Sequence, residues 1–90
     1  MDDHQIRARG VRVRALLENE DVQQAFLDVD DDLKERLFAT APGQAQEREE
    51  FYYMHKALAL VMGTMHSWIS DGELAADTLD QQEQGTQNDV

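Results

Sequence analysis

The chain has no cysteine, a single proline and only 8 basic side chains against 19 carboxylates in 90 residues. Without cysteine there is no disulfide and no thiolate metal site. A domain this short must then gain its stability from well-formed helix packing or from self-association. The lack of cysteine also fits a reducing compartment. Long apolar runs are missing too: the longest, 57–65, is interrupted by Gly63 and Thr64 and falls well short of a bilayer-spanning length. The opening MDDHQIRARG has no apolar core of the kind an export signal needs. These absences predict one soluble, cytoplasmic domain with no membrane partner.

The net charge of −11 is unevenly spread. Arg7, Arg9, Arg12 and Arg14 face only Asp2 and Asp3 in the first fourteen positions, a local balance of +2. From Ala15 onward, seventeen carboxylates meet Lys34, Arg36, Arg48 and Lys56, a balance of −13. Such a charge repels nucleic acid at long range and favours basic partners, so direct nucleic-acid binding is not expected.

Apolar spacing predicts an all-α fold. A first helix over about 5–17 carries Ile6, Val11, Val13, Leu16 and Leu17. Gly10 costs it roughly 1 kcal/mol relative to alanine, which predicts fraying of its first turns. Asp21 with Gln24 resembles a capping box opening a second helix over about 22–39. There Val22, Phe26, Val29, Leu33 and Leu37 form one apolar stripe, and Asp28, Asp31, Asp32 and Glu35 form a separate acidic face. Asp30–Lys34 and Asp32–Arg36 are placed to pair one helical turn apart. Thr40-Ala41-Pro42-Gly43 ends this helix, and so short a connection predicts an antiparallel helical hairpin with the third.

The third helix is expected over about 44–70. Phe51, Met54, Leu58, Val61, Met65 and Trp68 recur at spacings of three and four, a seam of the kind helices use to pack on helices. Asp71-Gly72 reads as its stop, with glycine at the position that commonly turns left-handed after a helix. The domain is then 1–76. Residues 77–90 have few apolar members and read as a disordered acidic tail.

No motif for chemistry stands beside the seam. Asp28, Asp30 and Asp32 match the first ligands of a calcium loop. Leu33 then occupies the required glycine position and Ala39 the required glutamate, so the run is read as a solvated helix face. His55 and His66 are eleven residues apart, three turns along one helix, and cannot share an ion. His4 lies near the terminus. Ser67 and Ser70 sit in or at the end of a helix with no strained nucleophile turn. The scattered glycines form no phosphate loop. A non-enzymatic protein with no cofactor and no metal is expected.

Two readings of the arginine group stand. It can neutralise phosphates, although no aromatic residue is interleaved with it. It can also pair with the acidic second helix in the same molecule or a neighbour, which is the favoured reading. The seam is read as core on one flank and interface on the other, since aromatic and methionine side chains are enriched at interfaces. This predicts a protein partner, with a homo-oligomer favoured over a monomer.

The succession LLENEDVQQAF, then TAPGQAQEREEF, then a long helix closing on SWISDGELA resembles a group of small helical-hairpin proteins encoded by tailed bacteriophages. The likeness covers about 15–76. It implies a role in head assembly, the portal region or DNA packaging, in the host cytosol or within the virion, and brings no functional residue with it. The expected function is therefore assembly through self-association or docking of the third helix. The alternatives are an acidic mimic of nucleic acid that blocks a basic DNA-binding protein, and a terminase-type packaging subunit using the N-terminal arginines.

Overall fold

The computed structural model describes the backbone of residues 1–88 and the side chains of residues 1–85. The chain is all-α: α1 is Asp3–Glu18, α2 is Glu20–Phe38 and α3 is Ala45–Asn88. There is no strand among the described residues.

Polar side chains at the helix starts set the boundaries. Asp2 Oδ1 accepts from the Gln5 amide at 2.8 Å, and Gln5 Oε1 accepts from the Asp2 amide at 2.9 Å. This reciprocal cap holds the first turn of α1. The cap of α2 is Asn19 rather than Asp21. Its side chain accepts from the amides of Asp21 and Val22 at 3.0 and 3.1 Å, with the backbone extended at φ −70°, ψ 126°. Asparagine caps as well as aspartate, and starting there places Glu20 and Asp21 in the first turn, where negative charge suits the helix dipole. The connection after α2 is tied by Arg48, whose Nε donates to Thr40 Oγ1 at 3.0 Å and whose Nη2 donates to the Ala41 carbonyl at 2.8 Å.

The chain divides into two compact units, one of Met1–Leu17 with α3 from Thr64 onward, the other of Glu18–Gly63. In the first, α1 crosses α3 at two buried glycines. A Cβ built on Gly10 would lie 3.0 Å from Gly72 Cα and 3.0 Å from the Trp68 carbonyl oxygen. One built on Gly72 would lie 3.0 Å from Gly10 Cα and 3.2 Å from the Ile6 carbonyl oxygen. Real Cβ atoms do not settle easily against backbone at such distances, so both positions need glycine for close approach. Val13, Ala75 and Leu79 are buried beside the crossing at 6, 5 and 8 % exposure.

Two expectations change here. Gly10 lies inside a helix that is unbroken from Asp3 to Glu18, and its missing side chain is what admits α3. Asp71-Gly72 does not stop α3 either. Gly72 has no positive φ, and the helix runs on to Asn88. Residues 77–88, where composition predicts disorder, are thus helical, while 89–90 lie outside the described residues. Burial of Ala75 and Leu79 anchors the extension, and adding turns to an existing helix avoids the cost of nucleation.

In the second unit, Val22, Phe26, Leu33 and Leu37 of α2 are half-buried as the stripe predicts, but Val29 is exposed and Asp30 takes the half-buried place. From α3, Phe51, His55, Leu58 and Met62 are half-buried. All three buried apolar residues named above belong to the first unit; no apolar side chain of the second is buried to that degree.

Candidate functional site

The six seam residues divide by exposure. Phe51, Leu58, Met65 and Trp68 are half-buried, while Met54 and Val61 are exposed. The neighbours that turn inward instead are His55 and Met62, one position further on. Over 51–62, in the second unit, both flanks of α3 carry apolar residues, so this part of the helix presents one apolar side inward and a second outward. Between Glu50 and Asp71 the only Asp, Glu, Lys or Arg is Lys56. A helix that is apolar on every side is normally buried on every side. Yet Tyr53, Met54, Leu60 and Val61 are exposed, Leu60 at 71 %. Tyr53 and Met54 lie one turn from Ala57, and Leu60 and Val61 one turn beyond it, so all five share the outward face.

Aromatic side chains border this face. The rings of Tyr52 and Tyr53 lie 5.8 Å apart at 57°, and Lys56 Nζ stands 5.0 Å from the Tyr52 ring centroid. The Tyr53 hydroxyl donates to Glu49 Oε1 at 3.3 Å. Leu33, Leu37, Phe38 and Tyr52 line an open notch of about 290 Å³ with Lys34 and His55. Phe38, at the end of α2, is 84 % exposed. Sequence reasoning passed over Phe38 because it falls outside the α2 stripe.

The inward side of the same unit holds a polar cluster. Asp30 Oδ2 receives Lys34 Nζ at 2.8 Å and Asp30 Oδ1 receives His55 Nε2 at 2.7 Å. The hydrogen bond from Lys34 holds the Asp30 carboxyl below the usual carboxylate range; partial desolvation opposes it and the His55 hydrogen bond assists. The same bond and the Asp30 charge raise Lys34 above its usual value. A depressed carboxyl stabilises the fold above its unfolded pKa, about 3.9, and that gain is lost as pH falls through the lower folded value. A raised ammonium stabilises below its unfolded pKa, about 10.4, and that gain is lost as pH rises through the higher folded value. Asp30→Asn is therefore expected to cost stability at neutral pH and to flatten the acid limb of the melting temperature against pH. An acid limb with the parent's shape in the variant would show that other carboxylates set it.

On the acidic face, Asp32 pairs with Arg36 at 2.9 Å and Asp28 accepts from Gln24 Nε2 at 2.7 Å. Asp31 and Glu35 are exposed, and the Asp31 charge adds to that of Asp30 in raising Lys34. The arginine group divides as well. The Arg9 guanidinium stacks 4.6 Å from the Trp68 ring centroid, with Nε shielded from solvent and lacking a hydrogen-bond partner. Arg14 finds its carboxylate on α3, at Glu73. Arg7 and Arg12 are exposed without an ion-pair partner among the described residues.

Among the described residues no three His, Asp or Glu side chains are grouped to hold a metal ion. The Ser70 hydroxyl donates to the His66 carbonyl of its own helix at 3.2 Å. No helix among the described residues is long and apolar enough to cross a membrane. No family model, curated protein or solved structure matches this chain.

Proposed function

We propose that this is a non-enzymatic interaction and assembly protein, acting through the outward face of α3 by self-association or by docking on a larger protein. The observation that carries the reading is the twenty-residue stretch with Lys56 as its only full charge, exposed on one side at Tyr53, Met54, Leu60 and Val61. Contiguous exposed apolar area of this kind marks interaction sites. In this reading α2 and the first half of α3 pack as an antiparallel helical hairpin. The Asp30–His55 and Thr40–Arg48 contacts support that arrangement. The likeness to small hairpin proteins of tailed phages suggests head assembly or the packaging region as the setting.

The two charge-based alternatives have less to draw on. A nucleic-acid mimic needs a dense acidic surface, and Asp32 is already engaged by Arg36 and Asp28 by Gln24. A DNA-binding arginine helix loses Arg9 to Trp68 and Arg14 to Glu73.

A pair of substitutions tests the reading. Val61→Asp, on the exposed side, is expected to keep the parent's helicity, to stay within about 0.5 kcal/mol of its stability at concentrations where the parent is unassociated, and to abolish association in light scattering or partner capture. Leu58→Asp, on the half-buried side, is expected to destabilise the fold itself by about 2 kcal/mol or more. Association undiminished in a folded Val61→Asp protein would remove the outward face from the mechanism.

A further inference from the structure

The two units differ in how completely each excludes water. In the first, Val13, Ala75 and Leu79 are buried beside a crossing where Gly10 and Gly72 bring two backbones together. In the second, 18–63, no residue is buried; Phe26 and Leu33 of α2 and Phe51, Leu58 and Met62 of α3 reach only half-burial. Hydrophobic stabilisation follows the apolar area removed from water. Each of these side chains therefore contributes only part of the about 1.5–3 kcal/mol that full burial gives. The contact is also incompletely filled, since Leu33 and Leu37 of α2 and Tyr52 and His55 of α3 border the open notch of about 290 Å³.

Polar ties carry a correspondingly larger share of the contact between α2 and α3. Asp30 Oδ1 accepts from His55 Nε2 at 2.7 Å, with the two side chains 30 and 37 % exposed. A hydrogen bond that water reaches adds little net stability, about 0.5–1.5 kcal/mol. The Asn19 cap and the Asp30–Lys34 and Asp32–Arg36 pairs lie within α2 or at its start. They favour its helical form without holding it to α3. Most helix stability in proteins comes from tertiary packing, so α2 off its support is marginal.

From this unequal burial we infer that α2 is a releasable strap. It leaves the inward side of α3 in a local opening while the crossing of α1 and α3 stays closed, and the opening bares Phe51, Leu58 and Met62. Regions with few buried apolar contacts and solvent-reached hydrogen bonds open at a lower free energy than the whole fold. The first half of α3 remains helical without the strap, because it extends a helix already anchored at Gly72, Ala75 and Leu79 and needs no new nucleus. The strap thereby controls a second apolar side of α3, distinct from the one at Tyr53, Met54, Leu60 and Val61. The inference rests on the contact of α2 with α3 and holds whether or not the outward face associates.

The test is native-state hydrogen exchange of the full chain, followed by NMR across low denaturant concentrations. Amides of 23–37 in α2 are expected to show protection lower than those of 68–79 in α3 by about tenfold or more, with a shallower dependence on denaturant because less surface is exposed. Amides of 56–63 should stay better protected than α2. Leu33→Ala is expected to lower protection across α2 by about tenfold and to leave 68–79 within about twofold of the parent. Asn19→Ala is the milder variant, since its side chain bonds only the first-turn amides of α2. It should lower α2 protection about fivefold, with 68–79 again unmoved. Equal protection and equal denaturant dependence in α2 and 68–79 would mean one all-or-none unfolding and overturn the strap. A fall at 68–79 matching that in α2, in either variant, overturns it for the same reason. Exchange of 56–63 in step with α2 means that the second unit unfolds as a whole, and that too overturns a strap releasing from an intact helix.

Discussion

Gly72→Leu is expected to lower the melting temperature by 10 °C or more. The new side chain starts 3.0 Å from Gly10 Cα and 3.2 Å from the Ile6 carbonyl oxygen, both of them backbone atoms that cannot rotate aside. Overpacking typically costs about 1–3 kcal/mol, with larger values where the neighbour is rigid. In a domain of this size each kcal/mol moves the midpoint by about 4–8 °C. Alanine at Gly72 isolates the cause. Helix propensity alone favours it by about 1 kcal/mol, so a net loss means that the crossing opposes it by more than that. Gly63→Ala is the control, because nothing lies within 4 Å of a Cβ there. It should gain up to about 1 kcal/mol. Equal gains from both alanine variants, read by thermal melting, would mean that α1 and α3 do not meet at these glycines.

The second large effect is expected at Leu79. Aspartate there replaces a side chain 8 % exposed with a charge that must be desolvated. The lost burial alone is about 1.5–3 kcal/mol, and the carboxylate adds its own desolvation cost. The loss is expected to fall first on the C-terminal extension of α3. Amide protection after Gly72 should collapse, and helical circular dichroism should drop. Intact protection in Leu79→Asp would mean that intrinsic propensity holds the extension, with no help from packing on α1.

These two sites also show where sequence reasoning reaches and where it stops. The α2 stripe was legible because its outer side is charged, so only one face could be apolar; Val29 and Asp30 alone exchange places. The pairs Asp30–Lys34 and Asp32–Arg36 were legible from spacing, and both form. His55 bonding to Asp30 was not, since it joins residues far apart in the chain. Gly72 was misread because a glycine at a helix end and a glycine at a helix crossing answer to the same property, the absence of Cβ. Only the presence of Gly10 opposite distinguishes them. The inward side of α3 was ambiguous for a related reason. With Lys56 as the only full charge in twenty residues, apolar periodicity fits the row through Met54 and Val61 as well as the row through His55 and Met62. The outward rows through Ala57 were in plain view, but exposure was needed to give them meaning.

The crossing of α1 and α3 also sets a rule for how this chain can diverge. Gly10 and Gly72 share one small volume, so neither codon drifts independently. An enlargement at one narrows what the other can tolerate, and two positions remote in the gene become a single inherited character.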